Sequence, residues 1–193
     1  VYNDGVEKRH AIPVLVAALL FLGAGIARAE TISIIPRNVS AAANSDFSVG
    51  INAQSASGLF SVYFDLDFDP SAVSFISANE GTFLSQGCQT SFMTGENPVG
   101  KLIVGLTRLG EGCGGVSGSG QLMTLNFRTL SRNGSFNMNF SNSGLTVYTG
   151  GTFNDSIGSW IGTSVAIGQT SGDTTPPVSD TTPPAAPTGL AVS

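Results

Sequence analysis

Residues 59–68, Leu-Phe-Ser-Val-Tyr-Phe-Asp-Leu-Asp-Phe, carry the strongest constraint in the chain. Extended, this segment points Phe60, Val62, Phe64, Leu66 and Phe68 one way and Ser61, Tyr63, Asp65 and Asp67 the other. A period of two excludes a helix, and a strand with one dry face needs a second layer to cover it. The pattern recurs. In 121–130, Leu122, Thr124, Asn126 and Arg128 oppose Met123, Leu125 and Phe127; in 135–141, Phe136, Met138 and Phe140 alternate with polar partners. The 25 glycines argue the same way, since each glycine inside a helix costs about 1 kcal/mol against alanine.

Turn signals recur between Glu30 and Thr170 and delimit strands at 31–35, 46–53, 59–68, 73–78, 101–108, 121–130, 135–141, 144–149 and 164–168. About nine short strands predict an all-β fold, an antiparallel two-sheet β-sandwich with jelly-roll or Greek-key topology.

The ends differ from this middle. Residues 1–29 have the form of an export signal: Lys8 and Arg9, an apolar run from Val14 to Ile26, then Ala27-Arg28-Ala29 before Glu30. The run is shorter than the roughly 20 residues of a membrane span and is broken by glycine, so no membrane insertion is expected after cleavage. Residues 171–186 repeat Asp-Thr-Thr-Pro-Pro and predict an extended linker. Residues 187–193 resemble the first strand of a fibronectin type III domain, as if a larger modular protein continued there.

Cleavage would remove three basic residues (Lys8, Arg9, Arg28) and two acidic ones (Asp4, Glu7), taking the net charge from −5 to −6. An acidic surface excludes nucleic acid, which needs a basic patch to displace counterions. His10 is the only histidine and lies in the cleaved segment. The remainder cannot run histidine-based nucleophilic catalysis or build a histidine-ligated zinc site, so no enzyme and no cofactor are expected. Cys88 and Cys113, in an exported chain, predict a disulfide tying loop 79–100 to the glycine-rich loop 109–120; a redox or intermolecular thiol is the alternative.

Two motifs look chemical and fail. Asp65-x-Asp67-x-Asp69 begins like a calcium loop, but Pro70 stands where glycine is needed and Ile76 where the closing glutamate belongs. Carboxylates about 7 Å apart along one strand also lack the opposed cleft of a glycosidase. Gly110-Glu111-Gly112-Cys113-Gly114-Gly115 matches a dinucleotide fingerprint in letters, yet Val-Ser-Gly-Ser-Gly follows and starts no helix. Among Tyr63, Tyr148, Phe153 and Trp160, only Tyr63 is placed outward by its own strand. Asn38, Asn133, Asn139 and Asn154 stand in Asn-x-Ser sequons.

Three stretches in order resemble the cohesin family, the modules that capture dockerins in cellulosomes. They are Gly58 to Phe75, with an aromatic-Asp-Pro ending at Phe68-Asp69-Pro70; Gly100 to Leu106; and Ser117-Gly118-Ser119-Gly120-Gln121-Leu122-Met123-Thr124-Leu125-Asn126-Phe127. The resemblance covers about residues 30–168 and implies a jelly-roll sandwich in a bacterial extracellular or cell-surface setting linked to polysaccharide breakdown. It implies a dockerin-like protein partner docking on one sheet face, here Ser61, Tyr63, Asp65 and Asp67. The neighbouring outward set on 101–108 is either Lys101, Ile103, Gly105 and Thr107 or the alternate residues. The Cys88–Cys113 pair is outside the family pattern. Two other readings remain: direct binding of polysaccharide through Tyr63 or Trp160, and a structural spacer in an adhesin.

Overall fold

The computed structural model describes residues 30–168. The expected export signal, linker and fibronectin-like start lie outside the described residues, as do the last two positions expected in the sandwich. Eleven strands follow in order: β1 (Thr31–Ile35), β2 (Asn38–Ala41), β3 (Asp46–Asp67), β4 (Val73–Glu80), β5 (Gln89–Glu96), β6 (Lys101–Leu109), β7 (Val116–Thr129), β8 (Gly134–Thr149), β9 (Thr152–Ser156), β10 (Ser159–Ile161) and β11 (Thr163–Ile167). No helix occurs among the described residues, so none is long and apolar enough to cross a membrane.

The sandwich is built around β3. Its first half pairs with β1 and β7, and its second half with β6 and β8. One layer is therefore β4–β7–β3–β1–β10 and the other β5–β6–β3–β8–β11–β2, with β9 on the far half of β8. All pairings are antiparallel except β1–β10 and β11–β2, which are parallel. The crossing from layer to layer lies between Ala53 and Leu59, where the β7 register slips twice. Gly58 sits there at φ 74°, and a Cβ on it would come within 2.6 Å of the Tyr148 carbonyl, so only glycine fits.

The inward faces fill the space between the layers. Val62, Phe64 and Leu66 of β3 meet Leu102, Val104 and Leu106 of β6, Leu125 and Phe127 of β7, and Ile32 and Ile34 of β1, all buried. Phe127 is the hub of an aromatic cluster with Phe47, Phe68 and Phe75 at centroid distances of 5.7, 5.3 and 5.6 Å. Such ring pairs each add about 0.5–1.5 kcal/mol beyond the area they bury.

The strands expected at 46–53 and 59–68 are one strand, β3, those at 135–141 and 144–149 are one strand, β8, and three further expectations change. Leu122 and Met123 are both fully buried, because a register slip between β3 and β7 places two consecutive residues inward. Phe60 leaves the core: the β8 register slips between Leu59 and Ser61, Leu59 takes the buried position, and Phe60 packs on Tyr148 and Phe153. The segment 79–100 is not a loop. It holds the end of β4, a core plug at Phe83 and Leu84, and the whole of β5.

Arg108, buried on the inner face of β6, fastens that plug by donating to the carbonyls of Leu84 and Gln86, the latter at 2.9 Å. The Cys88–Cys113 disulfide forms as expected, but it closes the open end of the β5–β6 hairpin beside the Gln89–Leu109 pair. Closing a loop of this sequence separation, 25 residues, stabilises by about 3–4 kcal/mol in the chain-entropy account. Replacing both cysteines by serine is expected to lower the urea-unfolding free energy by about that amount, with β5 amides losing hydrogen-exchange protection first. Unchanged stability would show that the hairpin holds without the bridge.

Candidate functional site: the outer face of β5, β6, β3 and β8

The β3–β6 register settles the outward set on β6. Ser61 lies beside Thr107, Tyr63 beside Gly105, Asp65 beside Ile103 and Asp67 beside Lys101. The rows extend to β5, with Met93 beside Gly105 and Gly95 beside Ile103, and to β8, with Gly144 beside Tyr63 and Ser141 beside Asp65. Ser61, Tyr63, Asp65 and Asp67 thus share one continuous face four strands wide.

Glycines shape this face. A Cβ on Gly144 would strike the Tyr63 hydroxyl at 2.5 Å and its ring at 2.6 Å, so the ring lies across β8 in the space that a side chain would fill. On the other side Gly105 and Gly95 have open space above them. The result is a mainly apolar groove of about 450 Å³ with Tyr63, Met93 and Ile103 as walls. All three are well exposed for apolar side chains: Tyr63 50%, Met93 70% and Ile103 46%.

Below the groove the face becomes charged. Lys101 Nζ lies 2.6 Å from Asp67 Oδ1 and 3.6 Å from Asp65 Oδ2, and donates to Ser141 Oγ at 3.2 Å. The Ser141 hydroxyl in turn donates to Asp67 Oδ2 at 2.6 Å. The Lys101 hydrogen bond and then the Ser141 hydroxyl hold the Asp67 carboxyl below its ordinary value, against a smaller opposing effect of burial. The Asp67 hydrogen bond likewise raises Lys101, with desolvation opposing and the charges of Asp67 and Asp65 adding. Asp69 belongs elsewhere. Its carboxylate accepts from the Ser71 hydroxyl and backbone N–H, which lower it, and it pairs with Arg132 at 3.0 Å. The Asp-x-Asp-x-Asp run is therefore divided between two cations, and among the described residues no acidic, histidine or cysteine cluster could hold a metal.

The predicted residues differ in availability. Tyr63 projects most, Asp67 is partly exposed, and the Asp65 side chain is largely covered, at 14%. Ser61 spends its hydroxyl on the Leu106 carbonyl at 3.3 Å. Trp160, the other ring suggested for saccharide binding, is packed between Phe140 at 5.1 Å and Phe64 at 5.9 Å and donates to the Ile157 carbonyl. Its ring is part of the core margin, not a platform. Met93 escaped sequence reading because only Phe92 on β5 is a large apolar residue facing inward, too faint an alternation to mark a strand.

A family model described as the cohesin domain matches residues 32–156. No curated protein matches the sequence. Among solved structures, the chain is similar to the sixth cohesin of Acetivibrio cellulolyticus scaffoldin B, solved in complex with a mutant dockerin: TM-score 0.62, 19% identity, 72% of this chain and 99% of that one. It is also similar to the seventh ScaB type I cohesin of Pseudobacteroides cellulosolvens, at TM-score 0.61 and 12% identity over 72% and 92% of the two chains. A non-cellulosomal cohesin from the archaeon Archaeoglobus fulgidus gives TM-score 0.56 and 18% identity over 72% and 91%. The family match spans well over half the chain and the two-layer fold agrees with it: this chain belongs to the cohesin domain family.

Proposed function

We propose that the chain is a non-catalytic docking module that captures a dockerin-type protein on the outer face of β5, β6, β3 and β8, in an extracellular bacterial assembly. The observation that carries this reading is the groove over Gly105, an apolar pocket between Tyr63 and Met93 with a charged cluster at its lower edge. An exposed aromatic beside an open notch is the arrangement in which interfaces concentrate binding energy. The Asp65–Lys101–Asp67 cluster supplies fixed charge that orients a partner. The Acetivibrio neighbour was solved holding a dockerin, and the expected export signal would place the module outside the cell.

Calorimetry against a panel of dockerins, with calcium and then with chelator, tests the reading. Binding is expected to at least one dockerin, and Tyr63→Ala is expected to weaken it by about thirtyfold or more, the scale of an interface hot spot. Silence across a panel that binds a control cohesin would remove the dockerin reading, and undiminished binding by the Tyr63 variant would move the interface off this face.

The ion pairs on the face also set its response to acid. The lowered Asp67 value means that its contribution to stability is present above the ordinary carboxylate range and is lost as pH falls through the folded value, below about pH 4. Lys101 is raised, so its contribution persists up to about pH 10 and is lost only above that. Thermal unfolding between pH 2.5 and 7 is therefore expected to show a shallower acid limb for Asp67→Asn than for the unaltered chain. Parallel limbs would show that the carboxylate adds nothing to folding.

A further inference from the structure

Five basic side chains occur among the described residues, and four are committed. Lys101 is held by Asp65 and Asp67, Arg128 by Asp46 at 2.9 Å, Arg132 by Asp69, and Arg108 is buried on backbone carbonyls. Arg37 is the remaining one. It is exposed, and its guanidinium makes no hydrogen bond or ion pair among the described residues. A free arginine on an acidic protein invites a reason for its position.

Its backbone is held firmly. The Thr163 hydroxyl donates to the Pro36 carbonyl at 2.7 Å, the Ser164 N–H to the Arg37 carbonyl at 3.1 Å, and the Ser164 hydroxyl to Asn38 Oδ1 at 2.7 Å. The side chain extends over a concavity of about 390 Å³ at the β8–β11 end of the docking sheet. Its walls are Arg37, Asn137, Asn139, Gly162, Thr163 and Ser164, with no apolar side chain except the Thr163 methyl. Asn137 and Asn139 are exposed, and their amides are also without partners among the described residues. A fork of donors and two free amides thus converge on one space whose backbone is already ordered, and ordering does not have to be added on binding.

We propose that this concavity binds a uronic acid unit of a glycan, with its carboxylate on the Arg37 guanidinium and its neighbouring hydroxyls on the Asn137 and Asn139 amides. The guanidinium fork matches a carboxylate in two parallel hydrogen bonds. Each amide offers one acceptor and two donors, which suits the adjacent hydroxyls of a sugar. An acidic peptide side chain offers the carboxylate but no adjacent hydroxyls to match those amides. A phosphate would bring nearly two charges to one cation, and the other cation on this sheet face, Lys101, is already shared by two carboxylates. The net charge of −5 further disfavours a continuous polyanion and selects an isolated uronate among neutral sugars.

Nuclear magnetic resonance of the full isotope-labelled chain tests this with four probes: D-galacturonate, D-glucuronate, D-galactose and N-acetylglutamate. One of the uronates is expected to give saturable shifts of the Asn137 and Asn139 side-chain amides and of the Arg37 Nε–H, with galactose inert. Arg37→Gln is expected to weaken that binding by about tenfold or more, the scale of a charge-assisted pair, while leaving the rest of the spectrum in place. Asn137→Ala is expected to reduce uronate binding as well. Equal response to galactose, an equal or stronger response to N-acetylglutamate, absence of saturable shifts, or full retention in Arg37→Gln would each overturn the proposal. None of these probes depends on a dockerin, so failure here and failure of the docking face are separate results.

Discussion

The passage of β3 through both layers is the constraint on which everything else depends. Twenty-two residues run without a break from Asp46 to Asp67, so the two sheets share one continuous inner strand that passes from one to the other at a single bend. The bend requires the slipped register at Ala53 to Leu59 and the left-handed glycine at position 58. Once it is made, the alternation in 59–68 is locked: Val62, Phe64 and Leu66 must face the other layer, and Tyr63, Asp65 and Asp67 must face out. A slip of one residue would bury three polar side chains against the Phe127 cluster, at a cost no single contact could offset.

That lock turns a stability device into a surface. β6 and β8 flank the second half of β3, so each outward residue of β3 has two lateral neighbours in fixed register. Glycine at 105 and 144 then decides the relief. One side of Tyr63 receives its ring and the other stays open, which makes a groove from a sheet that would otherwise be flat. The charge below the groove is similarly arranged by register, because the Asp67–Lys101 pairing places the ammonium between two carboxylates spaced two residues apart on β3.

The two-layer fold and the outward row on β3 were legible because both follow from a period of two in long strands with large apolar residues. The disulfide was legible from two cysteines in a chain expected to be exported. What escaped were features carried by register and not by pattern. The paired burial of Leu122 and Met123 and the displacement of Phe60 come from bulges, which add one residue on one strand and leave no trace in hydropathy. β5 escaped because an edge strand covering little core needs few apolar residues. The choice of Lys101, Ile103, Gly105 and Thr107 as the outward set on β6 also waited on the pairing, since Leu102, Val104 and Leu106 alternate with residues that are themselves partly apolar.

The division of labour across this sheet has a physical logic. β5, which walls the groove, is an edge strand paired only with β6 and bridged to the sheet by a disulfide rather than by deep burial. Its residues Met93, Thr94 and Gly95 carry little of the core, so they are free to change while Phe64, Phe127 and their neighbours hold the fold. The opposite end is built differently. There β8 and β11 bury Met138, Val165 and Ile167 completely while presenting asparagine and serine outward, a rigid polar platform. An adaptable apolar end suits a folded protein whose surface must be matched side chain by side chain. A rigid end of amides and one uncommitted arginine suits a small ligand whose hydroxyls and carboxylate have fixed geometry, because preorganised donors lose little on binding. The two ends of the sheet can therefore diverge independently, since the residues lining one share no side-chain hydrogen bond with those lining the other.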